Sequence, residues 1–258
     1  MLFWTVKASH LKRILILFLT GLFAVGIVIV EQRDVSVFDK TIPASGGNEP
    51  AAIYSVPTDK KRVALTFDIS WGDKRPGPIL DILEEKQVDK VTFFLSSPWA
   101  ENHPDIVQRI VDAGYEIGSH GHKHINYSRL SEEEIRQQIV KADEILHKLT
   151  GTKPTLIRLP NGDFDKRVLK VADSLGYTVI QWDTDSLDWM NPGVDKIVQR
   201  VVNNVHPGDI ILMHASDSCK QTHLALPVII DKLREKGYEL VTVSELIATA
   251  EIDATELP

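Results

Sequence analysis

Acids, histidines and one arginine recur along this chain where apolar runs end: Asp68, His120, His124, Arg158, Asp183, Asp185, Asp188 and His214. Any one of them alone reads as an ordinary turn or surface residue, since Asp stabilises turns through local hydrogen bonds. Joint placement at one rim changes that reading, because carboxylates, imidazoles and a guanidinium then form one convergent polar set whose imidazoles can bind a cation. His120 and His124 stand four apart in Gly-Ser-His-Gly-His-Lys-His. On a helical turn that spacing puts both rings on one side, within reach of one divalent metal. In an extended segment His120, His122 and His124 share a face instead, so His122 is either a bystander or an alternative ligand. Ser216, Asp217 and Ser218 follow His214, but without the Gly-x-Ser-x-Gly elbow of a serine nucleophile they read as a polar loop. No phosphate loop or dinucleotide fingerprint follows a strand.

The elements that must position these residues alternate regularly. Val63 to Phe67 is a short β run, and Pro76 to Gln87 carries Ile79, Ile82 and Leu83 at helical spacing. The unit repeats as Val91 to Leu95 with a helix through Ile106, Val107 and Ile110, and as Tyr115 to Gly118 with a helix over Ser131 to Leu149. Ser131 and Glu134 open that last helix as a capping box. Later units pair Leu156 to Leu159 with a helix over 166–175, Tyr177 to Gln181 with 194–204, Ile210 to Met213 with 225–236, and Leu240 to Val243 with 244–250. Seven such units predict a parallel sheet with right-handed crossovers, either a barrel one unit short of eight or a doubly wound sheet. In both, the site lies beyond the strand C-termini, where the polar residues fall.

A chain of 258 residues with 43% hydrophobic residues suits one large domain with an accessory segment. The formal net charge of −7 argues against nucleic acid as the partner, and a single cysteine, Cys219, excludes an internal disulfide framework and a multi-cysteine zinc site. Ile14 to Val30 is an uncharged, mostly apolar run preceded by Lys7, Lys12 and Arg13. It predicts a transmembrane signal-anchor over 14–30 with residues 1–13 in the cytoplasm, no cleavage pattern nearby, and a single-pass protein whose domain is extracytoplasmic. Residues 31–60 read as a linker or leading arm, 61–250 as the domain and 251–258 as a tail.

Five segments in order resemble the polysaccharide deacetylase (NodB-homology, carbohydrate esterase 4) family: Thr66-Phe67-Asp68, His120 to His124, Arg158-Leu159-Pro160-Asn161-Gly162, Asp185-Ser186-Leu187-Asp188-Trp189 and Leu212-Met213-His214. The Thr-Phe-Asp-Ile-Ser-Trp-Gly stretch and the apolar N-terminus are most similar to its sporulation-associated PdaB-like branch. The resemblance implies a distorted (β/α)7 barrel and a metal-dependent hydrolase that removes N-acetyl groups from a cell-wall glycan, with peptidoglycan as the polymer. It implies a divalent cation, zinc, on His120 and His124, and Asp68 as general base held by Arg158. His214 becomes the acid oriented by Asp188, and Asn161, Trp189 and Leu212 line the substrate groove.

The chain departs from the family pattern twice. Ile69 stands where a second Asp supplies a metal ligand, and isoleucine cannot coordinate a cation. Asp73, Asp68 itself, His122 or water are the available replacements. Asn161 stands where an aromatic residue is customary, but keeps the backbone N–H expected to face the oxyanion. A glycan-binding or scaffold protein on the deacetylase fold is therefore the rival reading.

Overall fold

A computed structural model describes residues 50–255 of the chain. Strands and helices alternate as β1 (Arg62–Ile69), α1 (Pro76–Glu85), β2 (Thr92–Leu95), α2 (Ser97–Asn102), α3 (Pro104–Asp112), β3 (Glu116–Ser119), α4 (Glu132–Thr150), β4 (Leu156–Ile157), α5 (Lys166–Ser174), β5 (Thr178–Val179), β6 (Thr184–Asp185), α6 (Val194–Asn204), β7 (Ile210–His214), α7 (Thr222–Glu235), β8 (Glu239–Val241) and α8 (Val243–Thr255). Every ladder between these strands is parallel, in the order β5-β4-β3-β2-β1-β7-β6, with β8 beside the first residues of β1. The result is a half-barrel with helices outside, as βαβ crossovers require.

Two details correct the sequence expectation of seven units. The fifth strand ends at Val179, and the chain re-enters the sheet as β6, whose Thr184 and Asp185 pair with Ile211 and Leu212 of β7. Two-residue strands carry no readable period, so β6 left no trace in the pattern. The barrel also does not close through a β5–β6 ladder. Instead Ile53 pairs with Ile180 and Ser55 with Asp209, so part of the leading arm stitches the region after β5 to the start of β7. Gly208 permits this: at φ +80° it turns back under the arm, and a Cβ there would lie 1.7 Å from the Val56 carbonyl oxygen.

Side-chain alternation along β1 divides the core. Val63, Leu65, Phe67 and Ile69 join the apolar layer under the helices, whereas Ala64 packs with Phe94, Ile180 and Ile210 inside the barrel. Thr66 and Asp68 continue that inner row, so the period of two carries Asp68 to the rim. Ile69, fully buried, is the last member of the outer row. On β3, Gly118 is needed for a different reason. A Cβ there would lie 2.5 Å from the Phe94 ring, which fills the barrel interior below the site.

Helix α4 starts with the expected capping box, Ser131 Oγ accepting from the Glu134 N–H and the Glu134 carboxylate from the Ser131 N–H, and stops at Gly151 with φ 74°. Helix α8 runs to Thr255, so the segment read as a tail from 251 begins inside a helix. No helix among the described residues is long and apolar enough to cross a membrane, and the run 14–30 lies outside them.

Candidate active site

The strand ends surround a cavity of about 670 Å3 lined by Asp68, His120, His124, Asn161, Asp185, Trp189, Leu212 and His214. That volume lies within the usual range of ligand pockets. Arg158 and Asp188 sit behind this lining, both fully buried.

Arg158 organises the Asp68 side. Its Nη1 donates to Thr66 Oγ1 at 2.7 Å and to Asp68 Oδ1 at 2.9 Å, and its Nη2 donates to the Gln181 carbonyl at 2.9 Å. The guanidinium lies 4.3 Å from the Phe94 ring centroid and 5.6 Å from that of Trp182, so aromatic faces replace water around the cation. Burial pushes the Asp68 carboxyl up, but Arg158, His120 and His214 together hold it below the usual carboxylate range. Asp68 is therefore an oriented carboxylate with Oδ2 free of Arg158.

His120 is equally constrained. Its Nδ1 lies 2.8 Å from the Arg158 carbonyl oxygen, which can only accept, so Nδ1 carries the proton and Nε2 keeps its lone pair. Nε2 lies 3.9 Å from Asp68 Oδ2, and the His124 ring centroid is 5.4 Å from that of His120. Burial lowers the His120 pKa to about 4, so the ring is neutral at pH 7.

The His214 side is built from loops around β7. Asp188 Oδ1 lies 2.7 Å from His214 Nδ1, and its Oδ2 accepts from the His214 N–H at 2.8 Å and from Thr222 Oγ1 at 2.6 Å. Burial lowers the His214 pKa, yet Asp188, with Asp68 and Asp185, outweighs it and leaves the imidazole above its ordinary value. Nδ1 is thus taken, and Nε2 is left for the cavity. The single-turn 3₁₀ helix Asp188–Met190 is bracketed by Leu187 at φ 53° and Asn191 at φ 51°, a left-handed backbone that non-glycine residues rarely adopt. Asn161 is also left-handed, at φ 60°, a conformation Asn tolerates better than most residues.

The family model for polysaccharide deacetylase matches residues 55–180. A peptidoglycan-N-acetylglucosamine deacetylase of Bacillus cereus is 38% identical over 213 residues, 81% of this chain and 76% of that one. The peptidoglycan-N-acetylmuramic acid deacetylase PdaC of Bacillus subtilis is 34% identical over 74% of this chain, which spans 40% of its length. The chain belongs to the polysaccharide deacetylase family. Among solved structures, a carbohydrate esterase family 4 pseudoenzyme from Bacillus anthracis superposes with a TM-score of 0.73 and 38% identity, covering 77% of this chain and 69% of that one. A mutant of the same pseudoenzyme, with restored enzymatic activity, superposes with the same TM-score at 39% identity.

The residues read from the deacetylase motifs, Asp68, His120, His124, Arg158, Asn161, Asp188, Trp189, Leu212 and His214, come together at or directly behind this cavity. Asp183 does not. It lies 2.8 Å from His206 Nε2 and outside the cavity lining, although it was counted with the rim. His122 turns to Ser97, 2.9 Å from its hydroxyl, and Asp73 is exposed, so neither completes a metal shell in this arrangement. Thr222, Trp182 and Trp71 were missed. The first contacts Asp188 across 34 residues of sequence, which no local pattern reveals.

The donor set decides what a cation would find here. Among the described residues only Asp188, His214 and Cys219 offer three ligand-type atoms within 4.8 Å of one another. Both Asp188 oxygens already accept hydrogen bonds, and burial pushes the Cys219 thiol up to about 12, so this cluster is a hydrogen-bonded carboxylate–imidazole pair beside an inert thiol. His120 and His124 do fit a divalent cation: one imidazole is neutral with its second nitrogen tied back to a carbonyl, as metal-binding histidines usually are, and Asp68 Oδ2 stands next to it.

Proposed function

We propose that the protein hydrolyses N-acetyl groups from the amino sugars of a cell-wall glycan, peptidoglycan being the polymer its relatives' names favour. The observation that carries this reading is one cavity holding an ionised carboxylate (Asp68) and an imidazole raised in pKa (His214), each fixed by its own buried partner. A carboxylate held ionised to take a proton and an imidazole whose protonated form is favoured to give one are the pair that amide hydrolysis requires.

His120 and His124 would hold a divalent cation, zinc by the donor types, which when bound would supply Lewis-acid polarisation of the carbonyl and lower the pKa of a water. Asp68 takes a proton from the attacking water, and Arg158 keeps the carboxylate charged and aimed. His214 delivers its Nε2 proton to the nitrogen as the C–N bond breaks, and Asp188 stabilises the imidazolium beforehand. Acetate and a free sugar amine are the products. Leu212, nearly fully buried at the cavity wall, offers an apolar surface to the acetyl methyl.

Export and tethering complete the reading. The apolar run 14–30 behind Lys7, Lys12 and Arg13 supports a single-pass anchor that holds the domain outside the cytoplasm, against the wall it modifies. The Thr66 to Gly72 stretch supports a role in sporulation. A rival reading, a glycan-binding protein without turnover, is favoured by Ile69 and by the likeness to a pseudoenzyme. Acetate release from N-acetylated glycans by the purified protein, with and without added zinc, separates the two. No release under either condition rules out the enzyme.

A further inference from the structure

The segment that begins at the departure from the family pattern, Ile69 to Arg75, is braced along its length. The Ser70 N–H donates to Ser216 Oγ at 2.9 Å, the Asp217 N–H to the Trp71 carbonyl at 3.2 Å, and Trp99 Nε1–H to the Gly72 carbonyl at 2.6 Å. Asp217 Oδ1 accepts from the Lys74 and Arg75 N–H groups at 2.9 and 3.0 Å. Gly72 has φ +81°, and a Cβ there would lie 2.2 Å from Asp217 Cγ, so the carboxylate occupies the space a side chain would need. Five hydrogen bonds along one short loop fix its backbone.

What the loop displays is Trp71, 56% exposed and part of the cavity lining, although an indole gains by burial. Trp189, 50% exposed, lines the same cavity. Two flat apolar faces that keep their area in water, around a polar centre, form a surface prepared for a ligand. A pyranose ring matches it: its C–H face is apolar, its rim carries hydroxyls and amides, and a rigid indole meets it without losing conformational freedom.

We propose that Trp71 is a stacking subsite for a sugar ring adjacent to the one presented to Asp68 and His214, so that the cavity grips a polymer rather than a lone amino sugar. The inference rests on the glycan reading above. Trp71 acts through binding and takes no part in proton transfer. The brace sets the orientation of the indole, which makes the Ser216–Asp217 loop a positioning element for substrate.

Calorimetric binding of β-1,4-linked N-acetylglucosamine oligomers of increasing length to the full chain in detergent tests this. Wild-type affinity rises with oligomer length, and Trp71→Ala lowers affinity for the longer oligomers by about tenfold. Trp71→Phe restores part of the loss, and Trp99→Phe, which cuts the bond to Gly72, gives a smaller one. Equal affinities of wild type and Trp71→Ala at every length overturn the subsite. Acetate is scored separately. If no oligomer is deacetylated while Trp71→Ala still weakens binding, the hydrolytic reading falls and the subsite stands.

Discussion

On the His214 side of the cavity every atom that orients the imidazole has a partner, whereas on the His120 side the donors stop at two imidazoles and a carboxylate shared with Arg158. The first side is built by the loops around β7, and its buried Asp188 accepts three hydrogen bonds. The second depends on β1, where Ile69 has joined the helix-facing apolar layer. The proposed proton delivery and the proposed cation binding therefore rest on different elements and meet only through Asp68. An altered residue at 69 leaves the Asp188–His214 pair geometrically whole, and the two halves can be broken separately.

The largest expected effect lies on the complete side. Asp188→Asn removes the charge that raises His214 and turns an acceptor toward Nδ1 into an amide, and kcat/KM on an N-acetylated glycan falls by about 10²–10⁴-fold. The same variant has a pH signature. Folded His214 lies above its ordinary value, so its pairing contributes stability that is fully present below the ordinary imidazole range and lost as pH rises through the folded value. Asp188→Asn moves the alkaline limb of the rate profile and of the unfolding curve to lower pH. An unmoved limb breaks the assignment of His214 as the acid.

Ile69→Asp probes the incomplete side. A carboxylate placed in that fully buried apolar row destabilises the metal-free protein by about 2–4 kcal/mol. Zinc restores part of the loss if the end of β1 turns the new ligand toward His120, and denaturant curves with and without zinc read both quantities. A zinc response equal to that of the wild type shows that β1 keeps residue 69 on its outer face. Gly118→Ala acts beneath both sides, crowding the Phe94 ring on which Arg158 packs, and costs about 1–3 kcal/mol by thermal unfolding together with a loss of turnover. The smallest effect belongs to Asp73→Ala. With Asp73 exposed and away from the cavity, bound metal per chain stays unchanged.

Much of this was legible because the informative segments are long or carry a charged residue at a strand end. The alternation from Val63 to Phe67 fixed which face Asp68 takes, and Ser131 with Glu134 marked the start of α4. The same alternation, carried one residue further, also places Ile69 outward. What stayed hidden has a common cause. The two-residue β6, the six-residue α2, the Thr222–Asp188 bond and the pairing of Ile53 and Ser55 depend on contacts between distant segments and leave no local period. Asp183 misled for the converse reason: it is a carboxylate near the right strand end whose partner, His206, only the fold reveals.

The stitched arm has a consequence for how the chain reaches this state. Ile53 and Ser55 are among the first residues of the domain to be synthesised, yet their partners Ile180 and Asp209 come late in the chain. Contacts between segments so far apart are slow to form. While the arm is undocked, the strand edge beyond β5 is unpaired and open to the same edge of another molecule. Docking covers that edge, which makes the arm a guard against self-association as well as a stitch in the sheet.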